Sequence, residues 1–381
     1  MTSVWLVLVA WLGLFPLAGW QQGVLWQAHL AAVAALGLCL LPRLWRTPRV
    51  DLGPLALAVL AALVSLAAAL CFAPAHLPRR EMQWAAVTSA SHALFFLLCL
   101  AAMPSPGAPP AEQARARAWL AALAALFVLG QAAVVVREIA AGAPRPTGTL
   151  GNPNALGAVA AACGLVLAGL AGLTRRSFLL LLAVLPLVVS TGSRGAMAAL
   201  AATLLLLAIR RRRWKLLAAL ALAGVALLVI PNPLVERLSR LEPEHAFSRP
   251  FLWRAALHSI AGNPLGIGPS MNLYVFPAQA WDAAHPWLLH QRHSVGLTHN
   301  ALLTLALEWG WLAGAAALAV AAWALLAILR QPRRADPLGT GALLGATVLL
   351  LELQVDGLEQ NPLAFSLFLL LAAIVLARLP R

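Results

Sequence analysis

The chain has 381 residues, of which 62% are hydrophobic and only 10% are charged, and its mean hydropathy is +0.84. Because soluble domains carry about a quarter charged residues, this composition excludes an ordinary soluble globular protein. The net charge of +14 invites a nucleic-acid interpretation. The basic residues, however, are spread between apolar runs, and we predict membrane lipids and no nucleic acid as partners.

Apolar runs of bilayer-spanning length recur from one end of the chain to the other. They predict an all-α polytopic membrane protein with about twelve transmembrane helices, which form a single membrane domain over residues 1–381. The N-terminal segment has no basic leader and is predicted to be the first span. The predicted spans are 4–20, 24–41, 52–72, 84–103, 118–136, 154–173, 177–191, 195–209, 216–231, 299–329, 338–355 and 362–377.

The distribution of arginine and lysine predicts the orientation of these spans. Most of the 27 basic residues fall in alternate connections, among them the run RRRRWK at 210–215. Cytoplasmic connections carry such an excess, so we predict that both termini are cytoplasmic. All four cysteines lie within predicted spans, and we interpret them as packing residues rather than disulfide partners.

Two short outer connections carry distinctive motifs. The first, RPTGTLGNPNALG at 145–157, contains Asn152, Pro153 and Asn154, which are typical of a turn and a helix start. The second, STGSRGAM at 190–197, places Arg194 at the predicted membrane boundary. A tight turn with an arginine that reaches the headgroups would also explain each of them.

A long predicted outer loop, residues 232–298, separates the ninth and tenth spans. Its aromatic content favours a folded, functional segment. SRPFLWRAALHSIAGNPLGIGP at 248–269 predicts a short amphipathic helix followed by a Gly/Pro turn. We expect its apolar residues, among them Leu252 and Ala256, to lie on the membrane surface, with Arg249 and Arg254 facing polar groups.

The tenth predicted span begins with His299 and Asn300 and carries Glu308 further in. Nine helical residues place His299 and Glu308 on opposite faces, roughly 13–14 Å apart along the axis, so they cannot pair. Glu308 is therefore predicted to satisfy a polar group on another helix. Three acids near the outer end of the eleventh span are candidates to orient His299 or to replace it as a base: Glu352, Asp356 and Glu359.

Arginines and a histidine are thus predicted at one membrane boundary. The planar guanidinium fork of Arg194 or Arg249 suits a diphosphate, because it binds phosphate oxygens in pairs. A neutral histidine such as His299 suits proton removal from a hydroxyl near neutral pH. The combination suits a lipid-linked diphosphate donor and a sugar hydroxyl as nucleophile.

Four segments in order, GTLGNPNALG, STGSRGAMAAL, SRPFLWRAALHSIAGNPLGIGP and THNALLTLALEWGWLAG, resemble the O-antigen ligase-like superfamily. This superfamily comprises O-antigen ligases, some O-antigen polymerases and bacterial protein O-oligosaccharyltransferases. The resemblance covers about residues 140–320. His299, Asn300 and Gly310 match the ligase pattern of His-Asn followed by glycine.

The resemblance implies an inverting, metal-independent glycosyltransferase without a cofactor, in the bacterial inner membrane with its active site facing the periplasm. It implies transfer of a glycan from undecaprenyl diphosphate to a hydroxyl of lipid A-core, of a growing glycan or of a protein. It maps the catalytic histidine onto His299 and the essential arginines onto Arg194 and Arg249. The expected substrate-binding residues are Arg254, Asn300, Asn152, Asn154 and Trp253.

Two other classes of protein compete with this interpretation. A transporter or lipid-glycan flippase usually has internal repeats and helices broken near the midplane, and neither is evident in the sequence. A metal hydrolase would need ligands such as His285, His290 and His293, but no H-E-x-x-H spacing accompanies them.

Overall fold

The computed structural model describes residues 2–14, 22–46, 55–73, 77–210, 235, 248–272, 298–330 and 336–378. Every regular element in these ranges is helical, which confirms the predicted all-α class. The α-helices are α1 Thr2–Val9, α2 Gln22–Arg46, α3 Leu55–Phe72, α4 Arg79–Ala102, α5 Pro110–Ala140, α6 Pro153–Leu170, α7 Arg175–Ser190, α8 Arg194–Arg210, α9 Ser248–Gly262, α10 Ala301–Trp309, α11 Trp311–Arg330, α12 Pro337–Glu352 and α13 Pro362–Leu376. Single 3₁₀ turns lie at Gly148–Leu150 and Leu358–Gln360.

Within the described ranges, four helices are long and apolar enough to cross a bilayer: Val24–Leu41, Arg79–Ala102, Pro110–Ala140 and Pro153–Leu170. Shorter apolar helices coincide with most of the other predicted spans. The predicted ninth span, 216–231, lies outside the described residues. The total of twelve spans therefore stays a prediction.

Helix α6 lies at the centre of the bundle and packs closely against α12. A Cβ added at Gly169 would lie 2.4 Å from the Cα of Gly341, and one at Gly345 would lie 2.7 Å from Val166. Small residues allow this approach of two helix backbones, as in other membrane bundles. The contact also brings the start of α6 and the end of α12 to the same end of the bundle.

The tenth predicted span, 299–329, is divided into two helices, so the expectation of one continuous helix there is wrong. Helix α10 ends at Trp309 and α11 begins at Trp311. Gly310 between them has φ of 92°, a left-handed conformation that glycine adopts without a steric penalty. The break is stabilised by loop residues that follow α9, as described below.

The amphipathic helix predicted in the long loop is present as α9, Ser248–Gly262. Its expected position on the membrane surface is wrong for the residues at its centre. Leu252 and Ala256 are buried in a cluster that includes Met82 of α4 and Leu307 of α10. Because its apolar face packs against protein, α9 is fixed to α4 and α10.

Described parts of three predicted outer connections meet at one end of the bundle, which we call the His299 end: the segment before α6, the start of α10 and the turn after α12. The Asn361 amide donates to Leu150 O at 3.2 Å, and the N–H of Ala301 donates to Leu353 O at 2.8 Å. At the predicted inner boundary, Arg378 forms an ion pair with Asp336 at the start of α12.

Candidate functional site

His299 forms a hydrogen-bonded pair with Asp356, which lies in the turn after α12. The distance from His299 Nδ1 to Asp356 Oδ1 is 3.0 Å, and the two side chains are 24% and 6% exposed. A carboxylate accepts, so Nδ1 carries the proton and donates it. The other ring nitrogen, Nε2, then presents a lone pair, which is the tautomer that a general base needs.

The backbone at His299 is strained, with φ of 51°. Its neighbours stabilise this conformation. Asn300 caps α10 by accepting from Leu303 N–H at 3.0 Å, and its amide donates to Gln354 O at 3.1 Å. The Thr298 hydroxyl donates to Asn300 O at 2.9 Å. A left-handed non-glycine residue fixed in this way is a frequent property of functional sites.

Asp356 is nearly fully buried, and its charge is stabilised locally. Its Oδ1 also accepts from the N–H of Gly357 at 2.9 Å. Burial acts to raise the pKa of Asp356, but the hydrogen bond from His299, the Arg249 charge and the Gly357 N–H together outweigh it. The resulting pKa lies below its ordinary value. Asp356 therefore stays ionised near neutral pH and keeps His299 in one tautomer.

Of the two arginines expected to be essential, Arg249 is the one whose charge acts directly on the acids near His299. It lies near the start of α9, close enough for its charge to act on both Glu352 and Asp356. Glu352 ends α12, is 1% exposed, and has one carboxylate oxygen without a hydrogen-bond partner among the described residues. Arg194 is the first residue of α8, and its charge acts on that of Arg145.

Arg145 is a third arginine at this site, and the sequence pattern alone did not single it out. Its Nε donates to Thr191 O and its Nη2 to Asn154 Oδ1, both at 3.0 Å. Burial lowers the pKa of Arg145; the charge of Asp356 opposes this shift, and that of Arg194 adds to it. An arginine in a protein nevertheless stays protonated. Prolines on either side of Arg145, beside the GTLGNPN motif, were a signal that could have identified it.

Helix α5 fixes the loop that carries Arg145. The Glu138 carboxylate accepts from the N–H groups of Thr147 at 2.9 Å and Gly148 at 2.8 Å. The buried Gln131 side chain accepts from Thr149 N–H at 3.0 Å and donates to its hydroxyl at 2.6 Å. These bonds satisfy the loop backbone, so that Arg145 extends from a rigid segment.

The third candidate acid, Glu359, lies beside the His299–Asp356 pair rather than in it. Its Oε1 accepts from the Thr304 hydroxyl at 3.5 Å, and Thr304 lies 2.7 Å from the hydroxyl of Thr298. Burial raises the pKa of Glu359 to about 8, with smaller contributions from Glu308 and Asp356. Of the three acids left open by the sequence, Asp356 is the one bonded to His299.

The asparagines expected to bind substrate are engaged with the protein in the structure. Asn152 caps α6 through Asn154 N–H and Ala155 N–H, at 2.8 and 3.3 Å. Asn154 accepts from Arg145, and both polar ends of Asn300 are bonded. These geometries favour a role in positioning the arginines and His299.

The other two expected contacts, Trp253 and Arg254, lie on α9. The Trp253 indole N–H is buried and makes no hydrogen bond with the described part of the chain. Arg254 is exposed, and five helical residues turn it about 140° away from Arg249. His285, His290 and His293, the candidate metal ligands, lie outside the described residues.

The site thus combines a histidine–aspartate pair with arginines from the α5–α6 connection, α8 and α9. Cations that surround a lone base are suited to an anionic leaving group and a hydroxyl nucleophile. The described part of the chain is therefore a helical bundle with four helices of membrane-spanning length and a candidate site at one end.

A family model described as O-antigen ligase matches residues 178–318. The match confirms the resemblance to the O-antigen ligase-like superfamily, whose members are glycosyltransferase-like enzymes. The matched range contains Arg194, Arg249 and His299, whereas Arg145 and Asp356 lie on either side of it. A comparison with curated proteins found no match.

Proposed function

We propose that the protein is a glycosyltransferase of the inner membrane that moves a glycan from undecaprenyl diphosphate to an acceptor hydroxyl at the periplasmic face. The observation that carries the proposal is the 3.0 Å bond between His299 and Asp356, with Arg249 and Arg145 acting on the same carboxylate. The ligase reaction, with a lipid A-core sugar as acceptor, is the form that the family match favours.

In the proposed reaction His299 is the general base. Its Nε2 takes the proton of the acceptor hydroxyl as the oxygen attacks the anomeric carbon of the donor glycan. The bond from that carbon to the diphosphate breaks, and the diphosphate leaves with the electron pair. Attack from the face opposite the leaving group inverts the anomeric centre.

The proposed role of the arginines is to stabilise the departing diphosphate. Arg145, Arg194 and Arg249 come from three separate elements, so they can surround one anion. The bonds to Thr191 and Asn154 use two of the five N–H donors of Arg145, leaving three in the described part of the chain. Fixed donors of this kind stabilise developing charge without reorganisation.

The test is transfer in vitro from a polyprenyl-diphosphate-linked glycan by purified protein. His299→Gln should transfer roughly 10²–10⁴-fold more slowly, because an amide can hydrogen-bond but cannot accept the proton. The matched control is His258→Gln, since His258 is exposed on α9. Transfer by His299→Gln at the wild-type rate would contradict the proposal.

The proposed reaction uses no metal, and this is tested in the same assay. Wild-type transfer should be unchanged after treatment with EDTA, because the arginines take the role that a divalent cation has in other diphosphate reactions. If EDTA abolishes transfer and Mg²⁺ or Zn²⁺ restores it, the metal-independent mechanism is wrong.

The acceptor separates the ligase from the other activities of the superfamily. Deletion of a ligase leaves long-chain glycan on its lipid carrier and absent from lipopolysaccharide. Deletion of a polymerase leaves lipopolysaccharide capped with a single repeat, and loss of a protein-glycosylating enzyme leaves lipopolysaccharide unchanged. The profile of a deletion strain therefore distinguishes the three.

The proposed orientation is tested by cysteine labelling in intact cells. In protein whose four natural cysteines are replaced, Ala261→Cys, exposed at the end of α9, should react with a reagent that does not cross the inner membrane. Ser105→Cys, in the exposed α4–α5 connection, is the control and should react only after the membrane is opened. The reverse pattern would contradict the twelve-span orientation with residues 232–298 outside.

A further inference from the structure

Backbone hydrogen bonds join the residues around the break between α10 and α11 to the loop that follows α9. The N–H groups of Ile267 and Gly268 donate to the carbonyls of Leu307 and Glu308 at 3.0 and 2.9 Å. In return, Trp311 N–H donates to Pro264 O at 3.1 Å. We call residues 264–272 and 307–311 the loop–helix joint.

Two glycines permit this close approach, one on each side of the joint. A Cβ at Gly266 would lie 2.5 Å from Glu308 O, and a Cβ at Gly310 would lie 2.9 Å from Pro264 O. Both residues have φ near 90°, which side chains disfavour. The motifs GNPLGIG and EWG, far apart in the sequence, are therefore two halves of one contact.

Glu308 adds a side-chain bond to these backbone bonds. Its carboxylate accepts hydrogen bonds from the N–H groups of Ser270 and Asn272, beyond the glycine-rich turn. Ser270 has φ of 59°, so the loop turns sharply toward the carboxylate. The acid within an apolar span is thus directed at loop backbone, and its charge also acts on the side chain of Glu359 in the turn before α13.

The joint is continuous with the helix that carries Arg249. Asn263, directly before the joint, closes α9 by donating from its N–H and its amide to Ser259 O. From Gly262 back to Arg249 the helix is about 20 Å long. A tilt of about 3° at the joint would therefore move Arg249 by about 1 Å, and displacements of that size can reduce catalysis by about 10²-fold.

We propose that Glu308 is a positioning residue, which fixes the loop–helix joint and through it the location of Arg249 relative to His299. The inference rests on the proposed function for its consequence in catalysis, but the joint itself has an independent structural readout. A carbonyl oxygen can accept the same N–H bonds as a carboxylate. Glu308→Gln should therefore keep the hydrogen bonds to the loop and the position of Arg249, and Glu308→Ala should lose both.

The catalytic test separates donor binding from chemistry. In Glu308→Ala the KM for a polyprenyl-diphosphate-linked glycan should rise roughly tenfold to a hundredfold, because the diphosphate arginine is displaced. The pH profile of kcat should be unchanged, since His299 and Asp356 keep their bond. Glu308→Gln should restore most of the affinity. The control is Glu112→Ala, which removes an exposed carboxylate at the start of α5.

The structural test places a spin label on α9 at Leu257→Cys, a 57% exposed position, in protein whose four natural cysteines are replaced. Glu308→Ala should make the label more mobile, and Glu308→Gln should not. An unchanged label and unchanged donor KM in Glu308→Ala would overturn the proposal. A second outcome would also overturn it: donor KM in Glu308→Gln raised as much as in Glu308→Ala, with the label immobile in both variants. Glu308 would then act through its charge. If wild-type protein turns over no lipid-diphosphate donor, the proposed function fails, and the label alone decides the role of Glu308.

Discussion

Gly195 lies directly against the carboxylate of Glu352. A Cβ at Gly195 would be 2.6 Å from both carboxylate oxygens. Gly195 follows Arg194 at the start of α8, and Glu352 ends α12 four residues before Asp356. The missing side chain at position 195 therefore allows the arginine helix start and the acidic helix end to approach each other.

Gly195→Ala should separate these two helix ends. The added methyl group displaces the buried Glu352 carboxylate, or moves Arg194, and overpacking of this kind costs about 1–3 kcal/mol. We expect a lower unfolding temperature and roughly tenfold slower transfer, measured on the same preparation. Gly37→Ala in α2, where an added Cβ meets nothing within 4 Å, is the control; it should retain activity and be slightly more stable, because alanine favours a helix interior. Equal behaviour of the two variants would refute the importance of this contact.

Asp356→Asn should reduce kcat by roughly 10²–10⁴-fold while leaving the donor KM near its wild-type value. An amide N–H facing His299 Nδ1 would favour the tautomer that is protonated on Nε2, so that the ring no longer accepts the hydroxyl proton. The measurement is steady-state transfer by folded protein. A fall in donor affinity with kcat unchanged would place Asp356 in binding instead.

The same aspartate predicts a direction for pH dependence. Its folded-state pKa is lowered, so the stability that it contributes is present above the unfolded value of about 3.9 and is lost as the pH falls through the folded pKa. Asp356 should therefore not titrate between about pH 5 and pH 8. Titration of the Asp356 carboxyl group itself within this window, followed by carbon NMR of isotopically labelled protein, would contradict the assignment.

Arg145→Ala should raise the donor KM and lower kcat/KM roughly tenfold to a hundredfold, the size of one or two charge-assisted hydrogen bonds. Arg145→Lys should recover little, because a point charge cannot reproduce the two protein contacts and still bind the diphosphate. Arg137→Ala, at an exposed position near the end of α5, is the matched control and should retain activity.

Much of the helical framework follows from composition and pattern. Polar residues mark several helix starts. Asn152 and Asn300 were expected at the starts of helices, and they cap α6 and α10. Apolar runs predict spans because a bilayer admits few other structures. His299 was identifiable for the same reason, as a polar residue where an apolar run begins.

The features missed from the sequence depend on contacts between distant segments. Nothing local distinguishes Asp356 from Glu352 or Glu359; only the turn after α12 decides which acid meets His299. The break at Gly310 is stabilised by Pro264, Ile267 and Gly268, which lie some forty residues earlier, so hydrophobicity alone predicted a continuous helix. Leu252 and Ala256 were placed on the membrane because their protein partners belong to other helices.

Glu359 provides a test of the electrostatics at the His299 end that does not require substrate. Its pKa is raised to about 8, against roughly 4.3 in the unfolded chain. Between these values the folded state binds the additional proton, so the contribution of Glu359 to stability falls as the pH rises and levels off above about pH 8. Glu359→Gln keeps the shape of the protonated acid. It should be more stable than the wild type at pH 8 and similar to it near pH 4.5, as measured by thermal unfolding in detergent.

Glu112→Gln, at an exposed position, should show no such pH-dependent difference. A Glu359→Gln variant that loses stability more steeply with pH than the wild type would show that Glu359 is ionised in the folded state, contrary to its buried position beside Thr304.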